Sequence, residues 1–301
     1  MCNLQVSFFQ HALERNQIWR VFMGLFIIAV TYFAVSYIIT YALARNEIDL
    51  YQVMMSRSPS GLALILLTFF PIWIGVALVN WVLHKRGLSA LYGPSHKLNW
   101  THFLKAGSFV VAVFLIVEAI TQLYLLSRGQ DIYSPNMIDD LSCWFAWMLP
   151  MLGLLIIQSG AEEILFRGYL LQTISARGGN FIWAAILPSV LFGALHFDYE
   201  SFGNNAFAYV ISTAIFGMIL CAVTLRLGNL GAAFGLHFFN NLIAIFIYGL
   251  NDELGAMALI HIDIDPKSPL LGSGMILQSI ISIVVFGLWH KHYMRVNSTA
   301  S

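Results

Sequence analysis

Residues 144–168 read WFAWMLPMLGLLIIQSGAEEILFRG. Eighteen residues without a charge, Trp144 to Ala161, run straight into Glu162, Glu163 and Arg167. A helix crosses about 30 Å of hydrocarbon with about 20 apolar residues, so this run is close to a full membrane span. An ionised side chain in that medium costs about 2.5 kcal/mol or more. Three of them within six residues persist only if they pair, face a wet cavity or carry chemistry.

The rest of the chain fits the same solvent. Of 301 residues, 59% are hydrophobic and 10% charged, with a mean hydropathy of +0.76. A soluble domain carries roughly a quarter charged residues. Seven further apolar segments join residues 144–171: 19–43, 61–83, 103–126, 181–197, 206–225, 230–250 and 270–289. The expected fold is therefore all-α, a polytopic membrane protein of about eight transmembrane helices. No repeat or Pro/Gly/Ser-rich linker divides it. One integrated membrane domain is expected, with N-terminal helices one to three in 1–140, a functional core in 141–250, and an outer loop plus last helix in 251–301. Ala42-Leu43-Ala44 resembles a signal-peptide cleavage site, but the stretch before it is longer than such signals use, which favours an uncleaved anchor.

Loop cations set the expected orientation. With the N-terminus inside, the inner set is Arg15, Arg20, Lys85, Arg86, Lys97, Lys105, Arg177, Arg226, Lys291 and Arg295. The outer set is Arg45, Arg57, Arg128 and Lys267, alongside acids such as Asp139, Asp140, Asp252, Glu253, Asp263 and Asp265. Both termini are expected on the cytoplasmic side. The net charge is zero and the nine His are scattered, which argues against a nucleic-acid partner. Cys2, Cys143 and Cys221 are odd in number and far apart, so neither a disulfide frame nor a Cys-based zinc site is indicated.

Helical angles sort the polar residues of the core. Glu163 and Arg167 are an i, i+4 pair on one face, and Glu162 points about 100° away. Arg167 can thus neutralise Glu163 and leave Glu162 free to carry a proton. Phe192 and His196 share a face on the fifth span, and His237 and Asn241 on the seventh. A carboxylate beside an imidazole in a dry pocket can take a proton from water, as Glu162 and His196 would. His237 and Asn241 can supply donors to the oxyanion that peptide hydrolysis develops. The same Glu162, His196 and His237 could instead ligate zinc, although no His-Glu-x-x-His signature is present. A structural ion pair in a non-catalytic membrane protein, such as an immunity factor or proton carrier, is the third reading. Glu118, with Gln122 one turn on, is expected to hydrogen-bond across the bundle.

The three pairs resemble the motifs of the CPBP family (CAAX protease and bacteriocin-processing, or Abi), the intramembrane proteases that include the type II CAAX prenyl proteases. Those motifs are Glu-Glu-x-x-x-Arg, Phe-x-x-x-His and His-x-x-x-Asn on successive helices. Here they are Glu162-Glu163-Ile164-Leu165-Phe166-Arg167, Phe192-Gly193-Ala194-Leu195-His196 and His237-Phe238-Phe239-Asn240-Asn241. The resemblance implies an eight-helix, glutamate-dependent endopeptidase without a cofactor. In it Glu162, His196, His237 and Asn241 are catalytic, and Glu163, Arg167 and Phe192 organise the site. It implies a protein or peptide substrate, with or without a lipid anchor, and a bacterial cytoplasmic membrane as the location.

Overall fold

The computed structural model describes residues 8–45, 58–129, 132–135, 141–178, 181–250 and 255–298. Cys2, Arg57, Asp139, Asp140, Asp252 and Glu253, named above, lie outside these residues. Each apolar run forms a helix: α1 Ile18–Arg45, α2 Pro59–Leu67, α3 Phe70–Val82, α4 Trp100–Arg128 and α5 Leu141–Glu163. After α5 a wide π-helical segment, Ile164–Leu170, leads into α6 Leu171–Ser175. Then come α7 Phe181–Ala194, the short α8 Tyr199–Phe202, α9 Asn205–Leu227, α10 Gly231–Phe246 and α11 Pro269–Ser298. Six spans among the described residues are long and apolar enough to cross a membrane, and Ile182–Ala194 and Gly231–Phe246 are shorter apolar helices. The chain is an all-α polytopic membrane protein, and the apolar side chains of α1, such as Phe22, Phe26 and Phe33, are exposed as lipid contact requires.

Local chemistry sets the helix ends. Ser58 caps α2 by accepting from the Gly61 N–H at 3.1 Å, with Pro59 in the first turn. The second span breaks at Thr68 and Phe69, because Pro71 brings no N–H to continue the ladder. Asn99 caps α4 through the His102 N–H, and Gly129 closes it in the left-handed conformation at φ 62°.

The chain divides into two compact units, residues 1–179 with 224–263, and residues 180–223 with 264–301. In the first unit α10 packs on α4 and α5, α1 on α3, and α2 on α5. Its core gathers Leu62, Leu66, Phe103, Met151, Leu155 and Phe234. The α4–α10 contact is close because Gly231 and Gly235 put no side chain against the backbone carbonyls of Asn99 and Phe103. Asn229 fixes the start of α10: its Oδ1 accepts from the N–H groups of Asn99 and Gly231, and its Nδ2 donates to the Lys97 carbonyl.

Arg86, one of the inner-loop cations above, is buried rather than solvated. It donates to Asn80 Oδ1 at 2.6 Å, Gln172 Oε1 at 3.1 Å and Thr173 Oγ1 at 3.3 Å. Burial pulls its guanidinium down to about 10. A small sheet was not expected from the sequence: β1 Tyr133–Pro135 runs antiparallel to β3 Ile260–Ile262, which runs parallel to β2 Tyr248–Leu250. Three-residue strands are too short to show alternation in the sequence. Glu118 bonds within its own helix to Gln122 at 2.8 Å and meets the Tyr133 hydroxyl at 3.5 Å, so it reaches the sheet.

In the second unit a polar seam joins α9 and α11. Asn205 Nδ2 donates to the carbonyls of Pro266 and Ser268, and Ser279 Oγ donates to Ser212 Oγ at 2.8 Å.

A Cβ added at Gly235 would fall inside the van der Waals radius of the Phe103 carbonyl, whereas one at Gly153 meets nothing within 4 Å. Gly235→Ala is expected to lower the melting temperature in detergent, with an overpacking cost of about 1–3 kcal/mol. Gly153→Ala should melt like the parent. Equal melting of all three proteins would contradict the close α4–α10 contact.

Candidate active site in the first unit

Four buried groups form a chain at the end of α5. Arg167 Nη1 donates to Glu163 Oε1 at 2.8 Å, the i, i+4 pair expected from the sequence. Four residues lie close to one turn in an α- or a π-helix, so the pair forms although the wide segment begins right after Glu163. His237 of α10 then contacts the same Glu163 Oε1 through Nδ1 at 2.7 Å, and Glu162 Oε2 through Nε2 at 3.2 Å. Glu163 and Arg167 are 0% exposed, His237 3% and Glu162 7%. Charges this deep must neutralise one another.

The geometry also counts protons. A neutral imidazole has one N–H and can donate to one carboxylate only. Contacts from both ring nitrogens to two carboxyl groups need a second proton, on the ring or on a carboxyl. With that proton the set of two acids, one guanidinium and one imidazole carries no net charge.

The sequence reading that left Glu162 free is corrected here. Glu162 Oε2 accepts from Gln158 Nε2 at 2.8 Å as well as meeting His237. Adjacent glutamates diverge on a helix, but a flat ring with nitrogens on opposite edges bridges the gap, which helical angles alone do not reveal. His237 therefore stands between the two acids, with both nitrogens engaged. Asn241, one turn further along α10, donates one amide hydrogen to Gln158 Oε1 at 3.1 Å. Ser159 Oγ donates to the same oxygen at 3.0 Å.

Phe192 and His196 lie in the second unit. His196 lies two residues past the end of α7, and its Nδ1 meets the Phe192 carbonyl at 2.8 Å. A carbonyl only accepts, so Nδ1 carries the hydrogen and the lone pair is on Nε2. The rings of Phe192 and His196 are edge to face at 4.8 Å, and Tyr209 of α9 stands perpendicular to the imidazole at 5.7 Å. Phe192 thus orients the imidazole with its backbone as well as its ring. Gly193 lets α9 approach, since a Cβ there would meet Ala214 Cβ at 2.8 Å.

Gln158, Ser159 and Tyr209 were not singled out by the sequence reading. For Gln158 a signal was present: an amide one helical turn before Glu162 in an otherwise apolar span.

Glu162 Oε2 and His237 Nε2 face each other at 3.2 Å, and Nδ1 of the same ring is held by Glu163, an arrangement in which Nε2 could carry a hydrogen or serve a metal.

Arg167→Ala should cost about 3–5 kcal/mol, because it strands Glu163 in the interior without its guanidinium. The check is thermal melting of the detergent-purified variant beside Glu163→Gln/Arg167→Met, which removes both charges and should recover part of the loss. Unchanged melting of Arg167→Ala would remove the pair from the account of the site.

Residues 144–243 match a family model described as type II CAAX prenyl endopeptidase, Rce1-like. An uncharacterized protein of Bacillus subtilis (strain 168), YyaK, is 28% identical over 265 residues, covering 83% of this chain and 85% of that protein. No solved structure matches. All three motifs fall inside the matched span, so the resemblance read from them is borne out: residues 144–243 match the Rce1-like type II CAAX prenyl endopeptidase family, a family of membrane endopeptidases.

Proposed function

We propose that this chain is an intramembrane, glutamate-dependent endopeptidase in which Glu162, with His196, activates a water for attack on a peptide bond. The observation that supports this most strongly is the buried chain Arg167–Glu163–His237–Glu162. It holds a carboxylate and an imidazole in contact inside an apolar core, where a hydrogen-bond donor acts on a developing charge with little competition from solvent.

The two contacts of His237 are unequal. Nδ1 sits 2.7 Å from Glu163, and Nε2 sits 3.2 Å from Glu162. The first anchors the ring; the second is the weaker and is the one a substrate oxygen can displace. When Glu162 accepts a proton from water it loses its negative charge and its hold on the Nε2–H. The peptide carbonyl gains negative charge in the same step. The Nε2–H then transfers its hydrogen bond from Glu162 to the oxyanion, assisted by the second amide hydrogen of Asn241. Glu162 afterwards gives its proton to the leaving amine, which closes the cycle. His196 takes its part in water activation from the motif alone; within its own unit its Nδ1 bonds the Phe192 carbonyl, which leaves Nε2 as the acceptor.

In this reading no metal takes part, and Glu163, Arg167 and Phe192 organise the site. The substrate is a membrane-associated protein or peptide of CAAX type or a related kind, with or without a lipid anchor. The excess of loop Lys and Arg on one side supports cytoplasmic termini in a bacterial cytoplasmic membrane.

The deciding experiment compares membrane-proteome termini of cells carrying the intact protein with those carrying Glu162→Ala. Termini that depend on the intact protein are expected to vanish. Glu162→Ala, His196→Ala and His237→Ala should each lower cleavage by about 100-fold or more while remaining folded, as removal of a general base or oxyanion donor does. Chelation should leave turnover intact; full loss with rescue by zinc would make the protein a metalloprotease. Wild-type biological activity in all three variants would make it a non-catalytic membrane protein.

A further inference from the structure

We propose that Gln158 is a positioning residue that decides which oxygen of Glu162 takes the proton and which way the amide of Asn241 faces. The inference rests on the endopeptidase reading above. Gln158 is 7% exposed and sits one turn before Glu162 on α5. Its Nε2 donates to Glu162 Oε2 at 2.8 Å, and its Oε1 accepts from Asn241 Nδ2 at 3.1 Å and from Ser159 Oγ at 3.0 Å. Asn240 Nδ2 in turn meets Asn241 Oδ1 at 3.3 Å. The amide orientation is dictated: turned over, its oxygen would face the Glu162 carboxylate and its nitrogen the Asn241 donor.

One planar group thus ties the first motif to the third. Both contacts on Glu162, from Gln158 and from His237, fall on Oε2. Oε1 is left as the oxygen that takes the proton from water. The His237 contact is the one spent in the reaction, so a second, permanent donor is needed to keep the carboxylate from turning when it is released. Gln158 supplies it. Its other end holds Asn241, so that the amide hydrogen left over after the Gln158 bond points along a fixed direction. An apolar residue of the same length can do neither. Ser159, 0% exposed, braces the amide oxygen from the same helix.

The test uses Gln158→Met, which keeps length and volume but removes donor and acceptor, beside Glu162→Gln and the parent, all full-length in detergent micelles. The kinetic probe is a peptide spanning a terminus that depends on the intact protein. The expected result is a kcat lowered by about 10- to 100-fold, the scale of a misplaced reacting group, with KM within about twofold and a cooperative melt retained. A substrate-free arm reads geometry directly: with carbon-13-labelled glutamate, the infrared carboxyl band that disappears in Glu162→Gln should shift in Gln158→Met. Should Gln158→Met not fold, Gln158→Leu, apolar and without donor or acceptor, takes its place with the same expected losses. An unmoved band, or a parental kcat in Gln158→Met while Glu162→Gln is inactive, overturns the role of Gln158 and leaves the endopeptidase reading standing. Parental cleavage by Glu162→Gln overturns the endopeptidase reading itself.

Discussion

Hydrocarbon does not tolerate an unpaired ion, and the core of the first unit is arranged around that constraint. Two carboxyl groups, a guanidinium and an imidazole share one buried chain from Arg167 to Glu162. Each would be expensive alone. Together they need one shared proton to be neutral. The packing serves this chain: α10 can bring His237 to α5 because Gly231 and Gly235 let it lie against α4, and Asn229 fixes where it starts.

The membrane fold was largely legible in the sequence, since hydropathy and helix length answer to the same thickness of lipid. The eight apolar segments all became helices, with ends set by caps such as Ser58 and Asn99 that hydropathy does not register. What escaped was short or tertiary. Three-residue strands carry no periodic signal, and Pro71 breaks a run that reads as a single span. Arg86 looked like a loop cation because its neutral partners, Asn80, Gln172 and Thr173, lie on other elements.

The candidate site was legible in its parts and less so in its wiring. Spacing alone gave the Glu163–Arg167 pair and the shared face of Phe192 and His196. It could not give the double contact of His237, which depends on how two helices meet. Nor did it single out Gln158, whose importance comes from the groups at either end of its amide. A span rich in Leu and Ile makes one amide look incidental. In lipid, where each polar atom needs a partner, it is a reason to search for two.

The wide helical segment Ile164–Leu170 has a consequence for which sequence changes this span can absorb. A π turn is in effect an α-helix with one residue too many. Removing a residue there would give a regular α-helix while leaving everything after it facing nearly the same way relative to Glu162 and Glu163, because the bulge already takes up the extra residue. Tyr169, Gln172 and Thr173, which fasten this helix to α1 and to the segment after α3, would keep their neighbours. A single-codon deletion should therefore be absorbed in that stretch, where an added codon, with no slack left to take it up, should not.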